Sequence, residues 1–296
     1  MSKRYYLFFI LVVFLAFSLN KICRAEKIFV SVSVPPQKFF VEKIGGEHVN
    51  VQVMLPPGAS PATYEPTPKQ LVNLERSEIY IKVGHPNFLF EKKYFKVINN
   101  TNKNMKIINM SEGLSYIKMS NHDHDHDHDH QDLSEDDPHV WVAPYAVRLA
   151  VDNICNGLCD LIPSLEKEFI LNRDKFIKEI NDLDRNIKAT LKNIPQKKFM
   201  IFHPALGYFA KEYGLTQIAI ETGGKEPSPS RIARLIVDAQ NEGIRVILVQ
   251  KGFSKDSAQV IARQIHGRVV EIDPLEYDWL ANMKELVRIF KFVLDD

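Results

Sequence analysis

Cysteine is scarce in this chain, three residues in 296. A fold stapled by disulfides is therefore not expected. Nor is there any block of five or more Lys and Arg, and 38 basic against 37 acidic residues leave a formal charge of +1. A chain so balanced carries no electrostatic footprint for nucleic acid or for an anionic membrane surface, and neither is expected as a partner. HExxH and GxSxG are both missing, so two familiar hydrolytic constellations are unsupported. The Gly-containing stretch ETGGKEPSPS (221–230) has neither the GxxxxGK[ST] nor the GxGxxG spacing, so it is not a phosphate loop. It reads instead as a cleft rim or a helix entry capped by Ser228 or Ser230. What is present, 45% hydrophobic and 25% charged residues, is a globular composition. The length allows two modest domains, each with a core.

Lys3 and Arg4 precede an apolar run from Tyr5 to Leu19, followed by Cys23-Arg24-Ala25. A basic start, a short apolar stretch and small residues at the cleavage positions form a secretory leader. The run is shorter than the roughly 20 residues that span a bilayer. Lys21 and Ile22 stand where a lipidation site has small residues, so lipidation at Cys23 is discounted. Cleavage after Ala25 leaves a mature chain starting at Glu26 in the periplasm. That chain keeps only Cys155 and Cys159, four apart on one face of a helical stretch. Helical neighbours rarely offer the Cβ vectors of a disulfide. The pair reads as small buried apolar side chains.

From Lys27 onward, short β-like runs alternate with helix-length segments, the signature of parallel α/β sheets. KIFVSVSV (27–34), VNVQVML (49–55), EIYIKVG (78–84) and MKIINM (105–110) are the strands of a first lobe. FMIF (199–202), TQIAI (216–220), RVILVQ (245–250) and RVVEI (268–272) are those of a second. Between the lobes, a charged pattern from Leu165 to Asn193 places Phe169, Phe176, Ile180, Leu183, Ile187 and Leu191 at helical spacing. Such a helix would be a rod of roughly 45 Å. The expected organisation is a leader over 1–25, a first α/β lobe over 26–143, a helical connection over 144–195 and a second α/β lobe over 196–296. Each lobe is a mainly parallel sheet flanked by helices, and one long rigid helix joins them. The first lobe carries a polar loop over 111–137 containing HDHDHDHDH, with His122, His124, His126, His128 and His130 alternating with Asp. No apolar periodicity exists there, so a surface loop that binds metal loosely is expected.

In open α/β sheets, ligands bind beyond the carboxyl ends of the strands. His203 directly follows FMIF and Asp273 directly follows RVVEI; His139, in DDPHVWV, would face them from the other lobe. Imidazole with carboxylate suits Zn²⁺, with Mn²⁺ and Fe²⁺ as weaker fits. Each residue also has a structural reading. Asp273 before Pro274 fits a turn, His203 before Pro204 fits a helix cap, and His139 fits a hydrogen bond within its own lobe.

PPGASPATYEPTPKQLVNLERSEIYIKVG (56–84), DPHVWVAP (137–144), FHPALGYFAKEYGL (202–215), ETGGKEPSPSRIARL (221–235) and EIDPL (271–275) carry a resemblance over essentially the whole mature chain. The chain resembles the metal-specific cluster of ABC-transporter solute-binding proteins, the zinc and manganese/iron receptors. That resemblance implies a receptor, not an enzyme, working as a monomer that captures a metal ion between its lobes and delivers it to the membrane permease of an ABC importer. It implies His139, His203 and Asp273 as metal ligands, and a His at position 203 resembles the zinc branch. The family's first ligand, the His of a PHxYEP motif, falls on Ala62, which cannot coordinate. Glu65 is the preferred substitute, ahead of His85. The alternatives within reach are a manganese or iron receptor, a metal-dependent hydrolase with Glu65 as its base, and an adhesin.

Overall fold

The computed structural model describes residues 27–119, 136–221 and 224–294. The leader over 1–25 and the five histidines of the 122–130 tract lie outside the described residues. No helix among the described residues is long and apolar enough to cross a membrane.

Among the described residues, eight short strands form two four-stranded, wholly parallel sheets. The first contains β1 (Ile28–Val32), β2 (Val49–Val53), β3 (Ile79–Lys82) and β4 (Lys106–Asn109), in the spatial order β2-β1-β3-β4. The second contains β5 (Lys198–Ile201), β6 (Thr216–Ala219), β7 (Val246–Gln250) and β8 (Arg268–Ile272), in the order β6-β5-β7-β8. The two orders are the same, so each sheet has a point where successive connections leave in opposite directions. In the first it lies between β1 and β3, in the second between β5 and β7. Crevices at the carboxyl ends of strands open at such points.

Local sequence explains where the helices begin. α1 (Pro35–Gly45) opens on two prolines, whose fixed φ suits a first turn and whose missing N–H would have no helical partner there. α2 (Pro68–Leu74) is capped by Thr67, which accepts from the Gln70 backbone N–H at 3.3 Å. α3 (Leu89–Thr101) spans β3 to β4, an amphipathic segment that the strand pattern alone does not single out. α4 (Pro144–Leu161) and α5 (Glu166–Leu191) form the connection, and 26 residues of α5 make a rod of about 39 Å. In the second lobe lie α6 (Gly207–Glu212), α7 (Pro229–Asn241), α8 (Asp256–Gln264) and α9 (Trp279–Leu294). Ser228, not Ser230, caps α7, accepting from the Arg231 N–H at 3.3 Å. Cys155 and Cys159 are both reduced, with sulfurs 3.9 Å apart, and burial pushes the Cys155 thiol up to about 12.

The lobes are not packed independently. One continuous core runs from the first sheet through α4 and α5 to β5, β7 and α9. α9, the last helix, packs back against α5, and its Trp279 meets Phe40 of α1 edge to face at 5.7 Å. Phe39 and Phe40 of α1 both pack on Phe176 of α5. A second, separate core lies between the other face of the second sheet and α7 and α8. The spine is thus an apolar block shared by both lobes, which holds their sheets in one relation.

Candidate metal centre

His203 stands just beyond β5, in the crevice of the second sheet. Its backbone N–H donates to Gln250 Oε1 at 3.2 Å, and Gln250 returns a short hydrogen bond from Nε2 to the His203 carbonyl. Gln250 ends β7, so the neighbouring strand fixes the backbone at residue 203. The ladder between β5 and the end of β6 continues through Glu221 N–H to the Phe202 carbonyl at 3.1 Å. This brings the Glu221 carboxylate against His203, where Oε1 accepts from Nδ1 at 2.6 Å. Phe253 stacks on the imidazole face, 5.3 Å between centroids and 14° from parallel. Position, rotation and tautomer of this ring are all constrained.

His139 comes from the other lobe and is built the same way. Asp137, wholly buried, accepts from the His139 backbone N–H at 2.9 Å and from Nδ1 at 2.7 Å, both on Oδ1. Trp141 packs edge to face on the ring at 5.5 Å. The Trp141 indole N–H donates to the Pro274 carbonyl at 2.8 Å, a contact between residues 133 apart in sequence, and Trp279 donates to the Trp141 carbonyl at 2.7 Å. The backbone beside His139 is thereby tied to the residue following Asp273.

The two imidazoles meet edge to face, 5.0 Å between centroids and 80° between planes, with Nε2 to Nε2 at 3.2 Å. A carboxylate only accepts, so each Nδ1 carries its ring's proton and each Nε2 presents a lone pair. Two lone pairs pointed at one another repel unless a cation lies between them. Two nitrogens bound at about 2.0–2.1 Å to a tetrahedral ion are about 3.3–3.4 Å apart. The observed spacing is close to that span.

The other sequence candidates are placed differently. Asp273 does follow β8 at the same sheet edge, but its Oδ1 accepts from the Leu275 N–H at 2.9 Å and its Oδ2 is 3.6 Å from the Lys251 ammonium. Among the described residues no three His, Cys, Asp or Glu side chains converge at metal-ligand range, so Asp273 is not joined to the imidazole pair. Glu65 is exposed and pairs with Lys93 at 3.1 Å, which holds its carboxyl below the usual range. His85 is 2% exposed, lies beyond β3 in the first sheet's crevice and packs on Tyr116 at 4.1 Å. Burial lowers its pKa. Its Nδ1 accepts from the Asn87 N–H at 3.1 Å, so the proton of the neutral ring sits on Nε2, which has no hydrogen-bond partner. In this tautomer His85 offers no free lone pair.

Asp137 and Glu221 are the side chains that sequence reading passed over. Glu221 directly follows the strand TQIAI, so the strand-end rule that selects His203 and Asp273 would have selected it too. Asp137 is two residues from His139, close enough for a local side-chain to ring contact.

The model of the family described as zinc-uptake complex component A, periplasmic, matches residues 30–291. The high-affinity zinc uptake system protein ZnuA of Bacillus subtilis is 28% identical over 263 residues, covering 86% of this chain and 80% of that one. The zinc-binding protein AdcA of Streptococcus pyogenes is also 28% identical over 263 residues; 84% of this chain matches 51% of that protein, so the chain spans about half its length. A zinc-bound crystal structure of a ZnuA deletion mutant superimposes with a TM-score of 0.84 at 33% identity, over 92% of this chain and 99% of that one.

Proposed function

Because the chain belongs to the family of periplasmic zinc-uptake components, we propose that it captures Zn²⁺ between its lobes outside the cytoplasm and hands it to the permease of an ABC importer. The observation that carries this reading is the facing Nε2 pair of His139 and His203, 3.2 Å apart, with both Nδ1 atoms engaged by carboxylates. Imidazole nitrogen suits zinc better than manganese, which prefers oxygen. The named relatives are zinc-uptake and zinc-binding proteins.

Asp273 supplies the third ligand in this reading, after its carboxylate leaves the Leu275 N–H and Lys251. The Trp141 bond to Pro274 keeps its backbone tied to the His139 segment, and reaching the imidazole pair calls for a side-chain rotation with a shift of the loop. With Ala62 unable to coordinate, water takes the fourth position. Glu65 would have to give up Lys93, and His85 would have to give up the Asn87 N–H and change its ligating nitrogen or tautomer. The shared spine favours small lobe movements over wide hinge opening. The leader over 1–25 directs export and is removed after Ala25, leaving a monomeric periplasmic receptor with no catalytic role. His122, His124, His126, His128 and His130 bind metal loosely and raise its concentration near the cleft.

The test is calorimetric zinc titration of the mature chain lacking residues 121–131, beside His203→Ala in the same background. One tight site, weakened by His203→Ala by two to three orders of magnitude, is expected; that is about one ligand's share of the roughly 10–16 kcal/mol of a structural zinc site. Absence of a tight site in the loop-deleted chain would overturn the reading.

A further inference from the structure

We propose that Asp137 and Glu221 are positioning residues for metal capture, a matched pair, one per lobe, that locks both imidazoles in the ligating tautomer and adds negative charge beside the ion. The inference rests on the inter-lobe site proposed above. It assigns a role to two residues that lie outside the expected ligand set.

Three observations point to it. Each carboxylate makes a short contact to an Nδ1, 2.7 Å from Asp137 and 2.6 Å from Glu221, and never to an Nε2. A ring so held has a single lone pair left, at Nε2, and the two lone pairs converge. Both carboxylates are buried, Asp137 at 0% and Glu221 at 6% exposure, and neither pairs with a Lys or Arg among the described ion pairs. Burying an anion costs free energy, which a cation bound beside it offsets. Asp137 Oδ2 is also buried and without a hydrogen-bond partner among the described residues.

The charge count gives the pair its purpose. Two neutral imidazoles bring no charge to a divalent ion, Asp273 as third ligand brings −1, and Ala62 removes one expected protein ligand. Two carboxylates one bond further out contribute −2 within the same low-dielectric pocket, where they act on the ion with little solvent screening. The site can lose a ligand at position 62 and still present a preoriented pair of donors.

Gly207 is part of the same construction. A Cβ at that position would sit 2.2 Å from Asp137 Oδ2 and 3.5 Å from Gln217 Nε2. Only a glycine there lets the first-lobe carboxylate lie flat against the start of α6. The contact carries Asp137, and with it His139, up to the second lobe.

An amide is the discriminating replacement because it is nearly isosteric. In Glu221→Gln the side chain can donate N–H to Nδ1, which moves the ring proton to Nε2 and points it at the ion. If instead the amide oxygen accepts, the tautomer survives but the charge is gone. Either way capture weakens.

The experiment uses the mature chain lacking residues 121–131 in four forms: unmodified, Glu221→Gln, Asp137→Asn and His203→Ala. Zinc affinity is read by calorimetry, and ring tautomers of the metal-free protein by long-range ¹H–¹⁵N NMR. Expected are affinity losses of roughly 10–100-fold in each amide variant, with His139 and His203 reading as Nδ1–H in the unmodified chain. Folding of both variants is checked by far-UV circular dichroism, and because the two residues lie in different lobes, either variant alone suffices if the other does not fold. Unmodified affinity in the amide variants, alongside its collapse in His203→Ala, would overturn the role given to the carboxylates while leaving the site intact. Tight binding that survives His203→Ala would overturn the site itself, and this inference with it.

Discussion

The crevice of the first sheet and the crevice of the second are built on the same strand order and filled with opposite intent. Beyond β1 and β3, a carboxylate borne by α3 plugs the opening. Glu91 accepts from the backbone N–H of Val83 at 2.6 Å and of Gly84 at 2.9 Å and takes a short hydrogen bond from the Ser33 hydroxyl, which also meets Tyr80 at 2.7 Å. Burial raises the pKa of Glu91. Beyond β5 and β7, Gln250 and Glu221 spend their hydrogen bonds on the backbone and ring of His203, and the ring's Nε2 faces out toward the other lobe. Polar groups buried at a sheet end can be used to close it or to aim a side chain. One lobe does the first and the other the second.

That contrast can be broken from either side. The largest effect on stability is expected from Glu91→Ala, which strands the backbone N–H groups of Val83 and Gly84. At about 1–3 kcal/mol for each buried unsatisfied donor, urea denaturation should show a loss of roughly 3 kcal/mol or more, with zinc affinity of the folded protein changed far less. A zinc affinity that collapsed while stability held would erase the distinction between the crevices.

Gly207→Ala comes next and should act the other way round. The new methyl group has to displace Asp137, an overpacking cost of about 1–3 kcal/mol. A measurable drop in zinc affinity by calorimetry should accompany it. Retained affinity would mean that Asp137 can move without disturbing His139.

A third, smaller effect concerns how each lobe meets the spine. The first packs on it through Phe39, Phe40 and Phe176, which do not titrate. Where the second lobe meets it, at the end of α6, Arg148, Asp184 and Lys188 face Glu212 and Tyr213. Burial above all, then Asp184, pushes Glu212 from an ordinary 4.5 up to about 7, with Arg148, Lys188 and a backbone hydrogen bond from Tyr145 opposing. A carboxyl raised in this way favours the folded state below its unfolded pKa, and that contribution is lost as pH rises through about 7. Glu212→Gln should therefore be more stable than the parent at pH 8 and nearly equal to it at pH 5, as read by thermal melts. The same gap at both pH values would rule out ionisation of Glu212 as the cause.

The smallest effect belongs to Glu65→Ala. Its carboxylate is exposed and pairs with Lys93. Zinc affinity should stay within about twofold and the melting temperature should not move, since exposed ion pairs contribute little. A large loss of affinity would make Glu65 the ligand that replaces position 62.

Much of this molecule was legible in sequence, and the exceptions have physical causes. Eight apolar runs gave the eight strands, and the rule about carboxyl ends put His203 and Asp273 at one sheet edge. The same rule applied to TQIAI would have found Glu221. Its omission came from reading 221–230 as a cleft rim or a helix entry. Glu65 looked like a ligand because it is near Ala62 in sequence, but Lys93, 28 residues on, lies within reach of it. His85 is at the right sheet end, yet the local turn at Asn87 claims its Nδ1. Neither competitor shows in residue type or spacing.

The sequence by itself determined the strands and most of the helices, the parallel direction of the strands and hence the edge at which ligands must gather. These follow from short-range facts: the period of apolar residues, prolines at helix starts, and connections too long for hairpins. Only the tertiary structure decided which polar atoms meet. The 3.2 Å approach of His139 to His203, across 64 residues, depends on how a shared apolar spine sets one lobe against the other, and on two buried carboxylates that turn each ring to face its partner. Such contacts are long-range and angular, and no periodicity in the chain records them.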